Sequence, residues 1–564
     1  MKLARETDAV YFTDMGQCQP AASLSSGQEE NRWRLVPYRT SRLRAPIKGL
    51  YVMKPDYRSA KACFAGTAVA TPAGGNVGPI AYPLNRKGWH AVFIGLTGRG
   101  NIRIGFSGDK YFTTFKKSSP DWFGYEEAVV GCRSLGGQNI EFAPSPETPE
   151  ESAVVVYIKL VPLTPQEARK HGRRFTAKER NLTVTRDAAG WANDTEEKMA
   201  DAVFNQFINS PVRMLYFGMP SFGTVLNYED RIRQGESFDT GDEGAVKEAC
   251  VQSFYRAGDS PLASAVRLAH RAGVKIHFFQ RPGRFVDMHK GHVSPFYTEH
   301  LEWRLKNRRG HDMHGRMSVV FPEVRHYMVE CLRETLRCEP DGINICMIRG
   351  APLALYEAPL IEAFRGRYGS DPTRLKHDDD RFAALRCEYT TQYIREVRQM
   401  LDEERRPGMK RLELSVMVFG DRATNRRAGL DIEKWIELSL VDIVNPWHTP
   451  IEWPPTILGH PPDLDYCASL RGGKTKIVPF ARCRFEQPHK LAAKAYKKGF
   501  SEVALWDVDL EMEDSRKWQS LRKIISPDGL MTIARDEWLT RVGYFEVCDG
   551  IGWDMEFGHL FGAG

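Results

Sequence analysis

From residue 35 to 162 the apolar positions come in short runs that alternate with polar ones, at residues 90–96, 102–106, 126–130, 140–143 and 153–160, with Gly, Pro, Asn and Asp between them. Successive side chains of a strand point to opposite faces, so a period of two marks half-buried strands. Short strands divided by turn residues predict an all-β sandwich domain over residues 35–162. Residues 1–34 are different: they are polar, and the run 21–30 is rich in Ser, Gly, Gln and Glu. Such a stretch offers little apolar surface to offset the entropy of ordering it, which predicts a flexible arm.

A charged, Pro-containing connector covers residues 163–181, and the pattern then changes. Apolar runs at 182–186, 212–217, 274–279, 342–348, 412–419, 441–444, 475–480 and 503–506 are separated by amphipathic stretches such as 196–209, 261–272, 323–336, 381–404 and 488–498. Strand alternating with helix predicts a parallel sheet, and eight such units predict a (β/α)8 TIM barrel over residues 182–525. Residues 526–564 lose their periodicity and carry five glycines from Gly550 onward, which predicts a loop-like C-terminal extension.

Composition narrows the partners. The 79 basic residues are matched by 72 acidic ones and scattered among them, so no one-sided basic surface selects nucleic acid. No apolar run approaches the ~20 residues of a membrane span. The 11 cysteines occur singly without a CxxC pair, which predicts buried, reduced thiols. Lys2 and Arg5 are not followed by an apolar stretch, so no secretory signal is visible; this points to the cytoplasm, or to a secreted or periplasmic protein had a signal been removed. The oligomeric state is not legible.

Two stretches carry a resemblance. Phe321-Pro-Glu-Val-Arg-His-Tyr, followed by a helical pattern and Pro340-Asp-Gly-Ile-Asn-Ile-Cys-Met-Ile-Arg349, looks like the middle of the family-10-like glycosyl hydrolase barrels. Gly429-Leu-Asp-Ile-Glu-Lys-Trp435, running into Leu440-Val-Asp-Ile-Val-Asn-Pro446, resembles the helix and sixth strand of the same proteins. The resemblance covers roughly residues 180–520, and residues 35–162 look like the accessory sandwich that often precedes such barrels. It implies a glycoside hydrolase acting on a poly- or oligosaccharide. One departure matters: family 10 xylanases carry an Asn-Glu pair after the fourth strand and a glutamate after the seventh, whereas here those positions read Ile348-Arg349-Gly350 and Phe480-Ala481-Arg482. The xylanase pair is therefore not carried over.

Barrel active sites lie at the carboxyl ends of the strands, and glycosidic cleavage needs two carboxyl groups, one protonating the leaving oxygen and one attacking or activating water. Asp187, Glu357, Asp421 and Asp507 are the candidates. Glu357 is favoured as general acid because it stands beside Tyr356 in the loop after the fourth strand. Arg281, Arg349, Tyr356 and Asn445 are placed to bind substrate, and Trp447 and Trp506 offer flat faces to sugar rings, Trp447 being the more outlying platform. A carboxylate at a strand end is often only a helix cap, and Trp506 fits core packing equally well. Asp341 precedes its strand and belongs to the opposite, stabilising face.

Histidines 289, 292, 300, 311 and 314 gather in the long insertion after the third strand. Their spacing matches no established zinc pattern, and a basic lid over the mouth is the favoured reading, with no metal or cofactor required. Two other functions stay open: a barrel that binds glycan without cleaving it, and a metal-dependent hydrolase using the histidines.

Overall fold

The computed structural model describes residues 3–48, 61–186, 194–219, 250–506 and 540–547, apart from short gaps within these spans, the longest being 116–123, 286–294 and 451–458. Its larger body is a parallel sheet of nine strands: β1 (Leu182–Arg186), β2 (Val212–Gly218), β3 (Lys275–Gln280), β4 (Gly342–Cys346), β5 (Glu413–Val418), β6 (Ile443–Pro446), β7 (Lys476–Ile477), β8 (Phe480–Arg482) and β9 (Val503–Trp506). Their order is β7-β6-β5-β4-β3-β2-β1-β9-β8. The two ends of that order are separated by only Val478 and Pro479 in the chain. Val478 donates its N–H to Val444 O (2.9 Å) on one side, and Ala504 donates to Pro479 O (2.9 Å) on the other. The ladder is interrupted at these two residues, yet the sheet curls so far that Tyr216 on β2 donates its hydroxyl to Asn445 Oδ1 on β6, 2.7 Å away. Strands spaced ~4.8 Å apart would hold these residues far apart in a flat sheet.

Local sequence accounts for the elements. The strands are apolar because both faces are covered, as in parallel sheets flanked by helices. Helix Pro261–Arg271 starts at Ser260, whose hydroxyl accepts from Ala263 N (3.4 Å), has proline in its first turn, and buries Leu262, Ala265, Val266 and Ala269 along one stripe. Helix Asp380–Glu403 is capped by Asp379, which accepts from the N–H of Arg381 and Phe382. Gly342 lets β4 reach β5, since a Cβ there would lie 2.0 Å from Glu413 O. At the amino ends of the strands, Asp341 accepts from Ile276 N (2.9 Å) and pairs with His270 (3.0 Å), binding β3 to β4 on the stabilising face.

The other body contains two antiparallel sheets. Ile80–Pro83, Asn139–Pro144, Ile102–Phe106 and Thr113–Phe115 form the smaller; the larger includes Trp33–Lys48, Lys61–Ala70, Trp89–Gly98, Gly124–Ser134 and Ala153–Pro162. Both contribute to one core, with Val92, Ile94, Val155 and Ile158 from the larger sheet and Ile104, Phe106, Ile140 and Phe142 from the smaller.

Two segments differ from the sequence expectation. The arm is tied down: Val10–Phe12 pairs with Ala153–Pro162, and Met15, Cys18 and Trp33 are fully buried. The apolar residues of this arm are too few to show a period, but Met15, Cys18 and Trp33 fill the core. In the C-terminal extension, Thr540–Val547 is a strand paired with both Trp33–Lys48 and Gly124–Ser134. A strand's partner can lie anywhere in the chain, so the segment is ordered by residues some 400 positions away.

Candidate active site

The interior of the curled sheet is polar at its centre. His277 on β3 shares a hydrogen bond with Ser415 Oγ on β5 (2.9 Å), and its other ring nitrogen faces Glu413 (3.2 Å). Asn344 donates to the same Ser415 oxygen (2.8 Å), and Asn445 donates to Val478 O (3.2 Å). His277, Asn344, Ser415 and Asn445 are all wholly buried. Burial pushes the Glu413 carboxyl up, but His277 and Lys275 more than offset this and hold it well below the usual carboxylate range. Such a network specifies a single arrangement of strands when its groups are paired. Sequence reasoning singled out only Asn445 from it. The available signal was a polar residue set inside an apolar run, as in Lys275-Ile-His-Phe-Phe-Gln280.

Toward the carboxyl ends of the strands the polar centre gives way to an aromatic floor. The Trp506 ring, at the end of β9, lies 5.3 Å from Trp447, 6.1 Å from Phe279 and 6.1 Å from Phe480. Trp506 is 1% exposed and Trp447 2%, so the outlying platform expected of Trp447 is instead a covered packing ring. Its position just past the strand had favoured exposure; the curl turns that position inward.

Guanidinium groups stand on this floor. Arg349, half-buried after β4, holds its Cζ 5.5 Å from the Trp506 ring centre, and Arg281 holds its own 5.4 Å from Phe279. Arg186 ends β1. The structure thus brings together Arg349, Arg281, Trp506, Trp447 and, beneath them, Asn445.

Glu357 and Tyr356 belong to a different constellation. The Tyr356 hydroxyl accepts from Arg308 (3.0 and 3.2 Å), and its ring packs on Phe382 at 5.1 Å. Glu357 is 1% exposed; its two oxygens accept from the N–H of Lys306 and of Leu355, both at 2.9 Å. Burial pushes its pKa up, while those N–H groups pull the other way. These contacts clamp the loop after β4 to the hairpin formed by Arg304–Lys306 and Asp312–Met317. Asp421 caps helix Arg422–Arg427 by accepting from Thr424 N (2.8 Å), as strand-end carboxylates often do. Asp187 and Asp507 lie outside the described residues, as do His289 and His292 of the histidine-rich insertion. Of the remaining histidines, His300 stacks on Trp303 at 3.8 Å. Among the described residues no three His, Cys, Asp or Glu side chains converge as a metal site would require, and no helix is long and apolar enough to cross a membrane.

No family model and no curated protein matches this chain. Solved structures similar to it include a β-galactosidase from the psychrophilic Marinomonas ef1, at 11% identity and TM-score 0.38 over 63% of this chain and 62% of that one. The catalytic domain of β-amylase from Paenibacillus polymyxa aligns over 63% of this chain and 100% of its own, at 10% identity and TM-score 0.41. An α-galactosidase from Thermus thermophilus aligns over 86% and 92%, at 11% identity and TM-score 0.35. The chain spans just under two thirds of the length of the Marinomonas enzyme. Its own hydrogen bonds define the class: a curled, TIM-like parallel sheet accompanied by antiparallel β-sheets.

Proposed function

We propose that this chain is a glycoside hydrolase, a (β/α)8 barrel of the family-10-like type with a β-sandwich in front of it, acting on a poly- or oligosaccharide at the carboxyl-end mouth of its strands. The observation that carries the reading is the group of arginines on an aromatic floor at that mouth. Guanidinium forks suit sugar oxygens and substituents, and the rings beneath hold them in place.

Cleavage would need two carboxyl groups across the bond, through an oxocarbenium-like transition state. We assign them to Asp187 and Asp507. Asp187 directly follows β1 and Asp507 directly follows β9, and these strands are hydrogen-bonded neighbours. Glu357, at 1% exposure, has no open path to a glycosidic oxygen, and Asp421 spends an oxygen on its helix cap. The engagement of those two described carboxylates favours one second reading, a barrel that binds glycan without cutting it. Assaying a panel of neutral and acidic polysaccharides for new reducing ends separates the two. Release from at least one glycan, lost in Asp507→Asn, is expected; glycan binding with no release from any of them would overturn the hydrolase reading.

A further inference from the structure

We infer that the mouth takes an anionic glycan, a uronate or a sulfated sugar, whose acid group pairs with Arg349. This rests on the reading of the mouth as the glycan site and adds the class of substrate. Arg349 is half-buried, yet no carboxylate answers it among the described residues, and its Nε is buried without a partner among them. Four other covered arginines are answered by carboxylates: Arg103 by Asp201 (2.6 Å), Arg213 by Glu502 (2.7 Å), Arg325 by Glu396 (2.9 Å) and Arg398 by Asp442 (3.1 Å).

A charge drawn partly out of water costs free energy until a counter-charge arrives. The Trp506 ring beside it holds the guanidinium, so an incoming anion meets a donor fork that has already lost much of its freedom. Arg281 sets a second guanidinium on the adjoining Phe279 ring, 6.1 Å from Trp506. Carboxylate and sulfate both offer two oxygens to such a fork; a neutral sugar hydroxyl offers one and leaves the charge uncompensated.

The test is calorimetric binding of matched oligosaccharides to the full chain: oligogalacturonate, a sulfated galactan fragment and a neutral galactan fragment. At least one acidic ligand is expected to bind about 10-fold or more tightly than the neutral one. Arg349→Met should weaken that ligand about 10- to 100-fold, the range of a hydrogen bond to a charged group, and Arg349→Lys should recover part of the loss. Because this side chain makes no hydrogen bond among the described residues, the melting temperature should not fall. Preference for oligogalacturonate alone identifies a carboxylate, and for the sulfated fragment alone a sulfate. Absence of acidic binding, absence of preference over the neutral ligand, or a preference undiminished in Arg349→Met overturns the inference. Acidic binding without cleavage sinks only the hydrolase reading, whereas cleavage of neutral glycans without acidic preference sinks only this one.

Discussion

Glu357 shows how one side chain can carry the sequence signature of a catalytic acid and also clamp a loop. A general acid needs burial to keep its proton, and Glu357 is buried with its pKa pushed up. The same burial leaves it only 1% exposed, and its oxygens are held by Lys306 and Leu355 N–H. Glu357→Ala would strand both donors, at about 1–3 kcal/mol for each unsatisfied group, so urea unfolding should show a loss of about 2–6 kcal/mol. Glu357→Gln should keep turnover within about threefold on any glycan the chain cleaves, while Asp187→Asn and Asp507→Asn should each lower it by ~10²–10⁴, the usual contribution of acid–base catalysis. Loss of turnover in Glu357→Gln with stability intact would return the acid to Glu357. How the Glu357 oxygens are engaged was not legible in the sequence, because spacing along the chain does not record which backbone N–H groups a loop will bring to an oxygen.

At the scale of elements, caps and close approaches decide how the strand ends are presented. Asp421 holds the first turn of Arg422–Arg427 through Thr424 N. Asp421→Ala should cost about 1 kcal/mol in thermal unfolding, and Asp421→Ser, which restores a capping oxygen, should recover most of it. Turnover gives the second readout: a cap alone tolerates serine, whereas a reacting carboxylate does not. Gly342 is a stricter case. Its hydrogen faces Glu413 O where a Cβ would lie at 2.0 Å, so Gly342→Ala must push β4 away from β5. The displaced strands carry Asn344 and Ser415, so the interior hydrogen bond between them fails as well. Soluble yield and the melting midpoint should both fall sharply, by more than the ~1–3 kcal/mol typical of core overpacking; a variant melting like the parent would show that the strands can part without loss. The elements themselves were largely legible, since apolar runs in Val212–Gly218 and Lys275–Gln280 and the stripe in Pro261–Arg271 are local patterns.

The whole molecule joins its β-rich part to the barrel-like part through Arg103, on the strand Ile102–Phe106, which donates to Asp201 in the helical segment Ala200–Phe204 between β1 and β2 (2.6 Å). Burial pushes the Asp201 pKa up to about 6, against the pull of Arg103. An acid whose pKa is raised on folding adds stability in full below the usual carboxylate range and loses it as pH rises through about 6. With ~1.4 kcal/mol for each pKa unit, the parent should lose about 3 kcal/mol relative to Asp201→Asn between about pH 3 and about pH 7. Urea unfolding of both proteins across that range checks this, and a difference that stays constant with pH would refute it. The sequence by itself determined the alternation of strands and helices, because burial on one face leaves a period of 2 or 3.6 and burial on both leaves a continuous apolar run. Tertiary structure alone decided the return of Thr540–Val547 to a sheet begun at Trp33, the bond from Tyr216 across the interior to Asn445, and the placing of Arg349 over Trp506. Periodicity reports only whether a side chain turns toward protein or water; the partner it meets depends on how far the sheet curls and which distant segment completes it.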